Sequence, residues 1–291
     1  MEEILKKIED SISASSFKQY VRIYTLLGIK SPKDLIDDKE RILEAIEKKS
    51  SENTKKNYLA AVVKMMRTAE YSEEDIKPYF EMMLEKVEKT KPSEYWNDKQ
   101  KEALMTMEEI ENIRKNMLVG ISNFTNRHNY DQLLDYVILS LYTLIPPRRN
   151  EYYNMEVIHS PEEIQDGKNY LVWSAKKKFF VFQEYKTKKA YGKQVETIPN
   201  KLIDVLKLYL TAREKIALSS NQFLVKYGDL NMENSNEITR RLNKILGRKV
   251  SSSMLRHIFL TETFGDTVKK MEQIAGDMGH SVQQQKDYIK Q

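Results

Sequence analysis

Apolar side chains recur three and four residues apart through the first ninety residues, the spacing of helices packed on one face. In FKQYVRIYTLLG (17–28), Tyr20, Ile23, Tyr24 and Leu27 share a face and Gly28 is a natural stop. NYLAAVVKMM (57–66) aligns Leu59, Val62, Val63 and Met66, and SEED (72–75) has capping-box spacing ahead of a helix running to about Glu88. The pattern predicts an all-α module of about five short helices over 1–90. It lapses in EKVEKTKPSEYWNDKQKEA (85–103), which is polar and contains Pro92, so residues 91–103 are expected to be a linker. TMEE (106–109), a second capping box, restarts the helices, and DQLLDYVILSLYTL (131–144) stacks Leu133, Leu134, Val137, Ile138 and Leu141 as a buried helix would.

The period then shortens. YLVWS (170–174), KFFVFQ (178–183) and KQVETI (193–198) are β-branched and aromatic, with Gly167 and Gly192 available for turns. They predict a small antiparallel sheet inside a second, mainly helical domain over 104–291. Helices are expected to resume at 201–216, 236–246, 252–264 and 267–277, with a last short one holding Tyr288. The fold class is thus mainly α with one small antiparallel β-sheet.

Composition narrows the function classes. With 40% apolar and 31% charged residues, the chain has the balance of a folded globular protein. The longest apolar-rich stretch, 137–147, is too short to cross a membrane and holds two prolines, and the N-terminus lacks a signal peptide's apolar centre. An intracellular protein is the expectation, acting without membrane or small-molecule substrate. The absence of cysteine excludes disulfides, thiolate metal sites and cysteine nucleophiles. Net charge is only +5, but Lys and Arg gather among aromatics: Lys176 and Lys177 before FF, Lys186, Lys188 and Lys189 after Tyr185, and the pair Arg148 and Arg149. Such clusters suit a phosphate backbone.

Polar candidates then follow one another in a particular order. IPPRRNEYYNM carries Arg148 and Glu151; YKTKK carries Lys186; SMLRHIFLT carries Arg256 and His257; DMGHSVQQQKDYIKQ carries His280 and Tyr288. Singly, each has an ordinary structural explanation, such as an i,i+3 ion pair for Arg148 and Glu151. No spacing here repeats the i,i+4 ligand pattern of a helical zinc site, so neither metal nor cofactor is expected. Taken together, the order resembles the tyrosine recombinase family, also called phage-type integrases. The forms PPRR and MLRHIFLT look most like those of integrases from large DNA viruses and virophages.

The resemblance implies a two-domain DNA clamp, with a helical, SAM-like core-binding domain (1–90) and a catalytic domain (104–291), assembling as a homotetramer on two double-stranded DNA sites. It implies that Tyr288 attacks a phosphodiester and stays joined to the 3′-phosphate, that Arg148 and Arg256 grip the non-bridging oxygens, and that Glu151 orients them. Lys186 would protonate the leaving 5′-oxygen and His280 would donate to the same phosphate. His257 and Ser253 take supporting places, and Arg149, Lys176, Lys177, Lys188 and Lys189 would bind DNA. The chain departs from the family twice: Ser253 stands where histidine or lysine is usual, and Tyr288 follows His280 by eight residues, where nine is commoner. The departures keep open an integrase-derived DNA-binding protein without catalysis; a type IB topoisomerase is the other alternative.

Overall fold

The structure is a computed structural model that describes every residue of 1–291 except Pro92, Glu94, Ala217, Lys290 and Gln291. Two compact units result, Met1–Tyr95 and Trp96–Gln291, each with its own apolar core. No helix among the described residues is long and apolar enough to cross a membrane.

The first unit is helical: α1 (Glu2–Ser11), α2 (Ala14–Leu27), the one-turn α3 (Asp34–Asp37), α4 (Lys39–Glu47), α5 (Glu52–Thr68) and α6 (Glu73–Lys89). Serine side chains cap three of them, with Ser13, Ser51 and Ser72 accepting from the backbone N–H three residues on. Gly28 ends α2 in the left-handed conformation that favours glycine. Helix α5 is the centre: Tyr58, Leu59, Ala61, Val62, Val63, Met65 and Met66 are all buried, so it is covered on more than one face. Two tyrosines tie helices together across this core, Tyr24 of α2 donating to the Ala61 carbonyl of α5 and Tyr79 of α6 to that of Leu35 in α3, both at 2.9 Å. Burial pushes the Tyr79 hydroxyl up to about 12, which keeps it a donor at neutral pH.

The second unit begins with α7 (Asp98–Ala103), closed by a reciprocal capping box between Asn97 and Gln100. This helix lies within the stretch expected to be a linker, and Ala103 is buried in the second core. Then come α8 (Met107–Asn116), with its box at Thr106 and Glu109, and α9 (Arg127–Thr143). All five apolar positions anticipated for the buried helix are fully buried in α9. After α9 the chain forms β1 (Glu156–Ile158), β2 (Tyr170–Trp173), β3 (Lys178–Phe182), a one-turn α10 (Lys188–Tyr191) and β4 (Gln194–Thr197). The order is β1-β2-β3-β4.

The sheet is mixed, which corrects the antiparallel expectation: β1 runs parallel to β2, while β2/β3 and β3/β4 are antiparallel. The three-residue β1 carries too little alternation to be read as a strand, and its pairing joins segments beyond any hairpin. A second small pair, β5 (Val225–Lys226) and β6 (Leu230–Asn231), follows α11 (Asn200–Lys215). The chain closes with α12 (Asn236–Leu246), α13 (Ser252–Asp277) and α14 (Val282–Tyr288). Here a second correction arises: the helices expected at 252–264 and 267–277 are one continuous helix of 26 residues. Gly265 lies inside it, and glycine lowers helix stability by only about 1 kcal/mol, too little by itself to break a helix that continues on both sides.

Candidate active site

Pro146 and Pro147 follow directly on the end of α9 and cannot continue its hydrogen bonding, so the chain turns there. The turn is pinned. The Tyr142 hydroxyl donates to the Arg149 carbonyl (3.1 Å), and the Asn150 amide donates to the Ser235 carbonyl (2.7 Å) and to Thr239 (3.1 Å). Buried Tyr152 locks the same segment into an aromatic cluster with Tyr142, Phe180 and Phe182.

This scaffold fixes Arg148. Its Nε donates to Glu151 at 3.2 Å, and its guanidinium carbon lies 3.7 Å from the centroid of the Phe182 ring. Both partners are sheltered, with side chains 15% and 9% exposed, so this is no solvated surface pair. The guanidinium is held a second time: its other side donates to Glu196, which β4 carries opposite Phe180 of β3. A guanidinium fixed by stacking and two carboxylates keeps its plane and its remaining donors in one orientation.

Around it opens a cavity of about 560 Å³ whose wall includes Arg148, Arg149, Glu151, Tyr185, Glu196 and Arg256. A neighbouring cavity of about 650 Å³ shares Arg149, Glu151 and Tyr185 and is completed by Lys186, Ser252 and Ser253. Four separated pieces of chain therefore converge: the turn after α9, the segment between β3 and β4, strand β4, and the start of α13. Of the residues anticipated from sequence, Arg148, Arg149, Glu151, Lys186, Ser253 and Arg256 are brought together.

The electrostatics of the wall are uneven. Exposed lysines of the first unit commonly pair with a carboxylate one turn away, as Lys48 does with Glu44 and Lys89 with Glu85. Among the described residues, Arg149, Arg256 and Lys186 of the two walls have no carboxylate within ion-pair distance, and neither do Lys176, Lys177 and Lys189, which line neither cavity. Lys188 differs, since it is paired with Glu184. Cations left without counter-charge around a polar cavity produce the field that attracts a polyanion.

His280 and Tyr288 lie elsewhere. Their rings contact each other, with centroids 5.8 Å apart, and the His280 Nδ1 lies 3.2 Å from the Ser281 carbonyl oxygen. Tyr288 is 71% exposed, and neither residue lines the arginine cavities. Continuity of α13 is the cause. Arg256 sits in its second turn and His280 beyond its C-terminus, which at 1.5 Å per residue separates them by about 30 Å along the axis. Past Ile258 the helix exposes Leu260, Phe264, Val268 and Ile274, and Met278 just beyond its end is exposed as well. His257 is also exposed, set edge-on against Trp96 at 6.1 Å.

Glu196 and Tyr185 escaped the reading of the sequence. The alternation within KQVETI was legible, and it sets Glu196 on the face opposite Val195 and Thr197. That this face looks onto Arg148 depends on pairing between segments 48 residues apart, which no local pattern encodes.

No protein-family model matches the sequence, and no curated protein matches it. Among solved structures, the chain is similar to one described as the crystal structure of XerA recombinase, at a TM-score of 0.39 and 14% identity, covering 100% of this chain and 94% of that one. So slight a likeness adds nothing to the residues themselves.

Proposed function

We propose that the chain cleaves and rejoins DNA strands as a site-specific recombinase or integrase of the tyrosine type. The observation that carries this reading is the meeting of Arg148, Glu151 and Arg256 on one cavity, with Lys186 and Ser253 on the adjoining one. These residues come from segments about a hundred positions apart, and they form part of the set that the order of motifs in the sequence anticipates, without His280 and Tyr288.

In this reading a phosphodiester enters the cavity and its non-bridging oxygens accept from Arg148 and Arg256, whose donors strengthen as the transition state gathers negative charge. Glu151, bonded to Arg148, keeps the guanidinium in register. The Tyr288 hydroxyl loses its proton to solvent as its oxygen attacks phosphorus, the bond to the 5′-oxygen breaks, and Lys186 supplies the proton that this leaving oxygen takes up. The 3′-phosphotyrosyl bond stores the energy for rejoining, when a 5′-hydroxyl displaces the tyrosine. Ser253 can donate a hydrogen bond to the phosphate; an imidazole at that position could also accept a proton. Arg149, Lys176, Lys177 and Lys189 supply attraction to the backbone, and Lys188 joins them once it parts from Glu184.

The distance of Tyr288 from the cavity supports delivery from a second copy, and the exposed apolar positions of α13 are suited to such an assembly. A homotetramer on two DNA duplexes, acting inside the cell as part of a viral element, fits this scheme. The same distance also supports a second reading, a DNA-binding protein descended from an integrase without catalysis. A nicked suicide duplex carrying the candidate site separates the two. Wild type is expected to form a covalent protein–DNA adduct and Tyr288→Phe none; absence of adduct with wild type across candidate sites would leave only the binding protein.

A further inference from the structure

A third cavity, of about 310 Å³, adjoins the second through Ser253; its cations are Lys99 and Lys249, and its other polar residues include the capping pair Asn97 and Gln100 together with Ser251, Ser253 and His257. We propose that this cavity holds a phosphate of the DNA backbone, a second one beyond that gripped by Arg148 and Arg256. The proposal rests on the DNA reading above and adds a binding site to it.

The charge balance is the first argument. No carboxylate lines this cavity, and among the described residues neither Lys99 nor Lys249 has an acidic partner. The neighbouring Asp98 is engaged with Lys101. Two exposed lysines lining one hollow without counter-charge make it electropositive, and a single anion placed there is attracted by both.

Rigidity is the second argument. Lys99 stands on α7, whose first turn is closed by the Asn97 and Gln100 box with bonds of 2.9 and 3.0 Å. Lys249 lies beside Arg248, which donates to the Leu104 carbonyl at 2.5 Å and so ties this segment to the end of α7. Trp96 braces the His257 ring. Ser251 accepts from the Met254 N–H through its oxygen, which leaves its hydroxyl proton to donate elsewhere. The cations are therefore carried on pinned backbone, as a specific site requires, and lie next to the cavity where Lys186 and Ser253 stand.

The test measures affinity for a duplex carrying the candidate site against salt, by fluorescence anisotropy, for wild type and for the double variant Lys99→Ala/Lys249→Ala. The slope of log K against log salt is expected to become shallower by about 0.9, the value for one lost phosphate contact on B-DNA. Lys99→Arg/Lys249→Arg should restore it, which excludes misfolding as the cause. Millimolar inorganic phosphate serves as a competing probe and should leave DNA binding by wild type unchanged beyond its ionic strength. An unchanged slope in the alanine variant overturns the proposal, and so does specific competition by inorganic phosphate, which would make this a site for a free anion. The suicide-duplex adduct is scored in parallel: a shallower slope without adduct upholds this site while the catalytic reading fails, and adduct with an unaltered slope does the reverse.

Discussion

At the scale of single residues, the arginine cavity is occupied before any DNA arrives. Glu196 holds a donor of Arg148 that a phosphate would need, so the carboxylate competes for the same seat. Glutamine in its place keeps the shape and removes the charge. Glu196→Gln is expected to tighten DNA binding by roughly 1 kcal/mol, about fivefold, measured by anisotropy; weaker binding would mean that Glu196 positions Arg148 and does not compete for it. Behind the cavity, the hydroxyl of fully buried Tyr152 has no hydrogen-bond partner among the described residues, although its ring joins the cluster that anchors Arg148. Burial drives this hydroxyl's titration far above the usual tyrosine range, so it stays a protonated and unsatisfied donor. Since an orphan buried polar group costs about 1–3 kcal/mol, Tyr152→Phe should raise the melting temperature by about 2–4 °C in calorimetry.

At the scale of elements, two helices carry consequences that differ in kind. Helix α6 is pinned by Lys86, which is 4% exposed and donates to Glu47 at the end of α4 (2.6 Å), with Glu52 of α5 and Glu85 at 3.5 and 3.4 Å. Lys55 first, and then Lys86, hold the Glu47 carboxyl below the usual carboxylate range. A carboxyl depressed in the folded state stabilises above its unfolded value of about 4.3, and that stabilisation disappears as pH falls through the folded value. Glu47→Gln should therefore cost about 1 kcal/mol at pH 7, allowing for solvent screening of the half-exposed carboxylate. In urea melts the gap to wild type should close progressively below pH 4.3. Helix α13 instead sets reach. It begins at the arginine cavity and ends beside the tyrosine, so delivery within one chain requires a break, whereas delivery between chains does not. Mixing Arg256→Ala with Tyr288→Phe, each inactive alone, should restore covalent adduct on the suicide duplex. A silent mixture beside an active wild type would point to a break in the helix near Gly265.

At the scale of the whole molecule, what was legible in the chain followed the range of the interaction. Helices whose faces close within a few turns could be read from spacing alone, α5 and α9 most fully, and capping chemistry located the start of α8. The sheet was half legible: β2, β3 and β4 carry enough alternating residues to declare themselves, but the direction and partner of β1 depend on a parallel pairing with Tyr170–Val172. The unbroken course of α13 was misread because a glycine inside an otherwise helical segment weakens the local signal without deciding the outcome. Among candidate site residues, the order along the chain singled out the arginines, Glu151 and Lys186; Glu196 could not be singled out, because only tertiary pairing brings it to Arg148. The boundary between the two units obeys the same logic. Low periodicity over 91–103 reads as a linker, yet Asn97 to Gln100 hold a capping box, and Ala103 and Trp96 pack with the second core. Tyr95, the last residue of the first unit, is 81% exposed. Brief treatment with subtilisin, whose broad specificity admits bonds on both sides of the boundary, should therefore cut first beside Tyr95, ahead of bonds inside α7, because a packed helix must first unfold. Two fragments, each retaining helical circular dichroism, are expected by mass spectrometry; first cleavage within 98–103 would show that α7 is not secured to the second core.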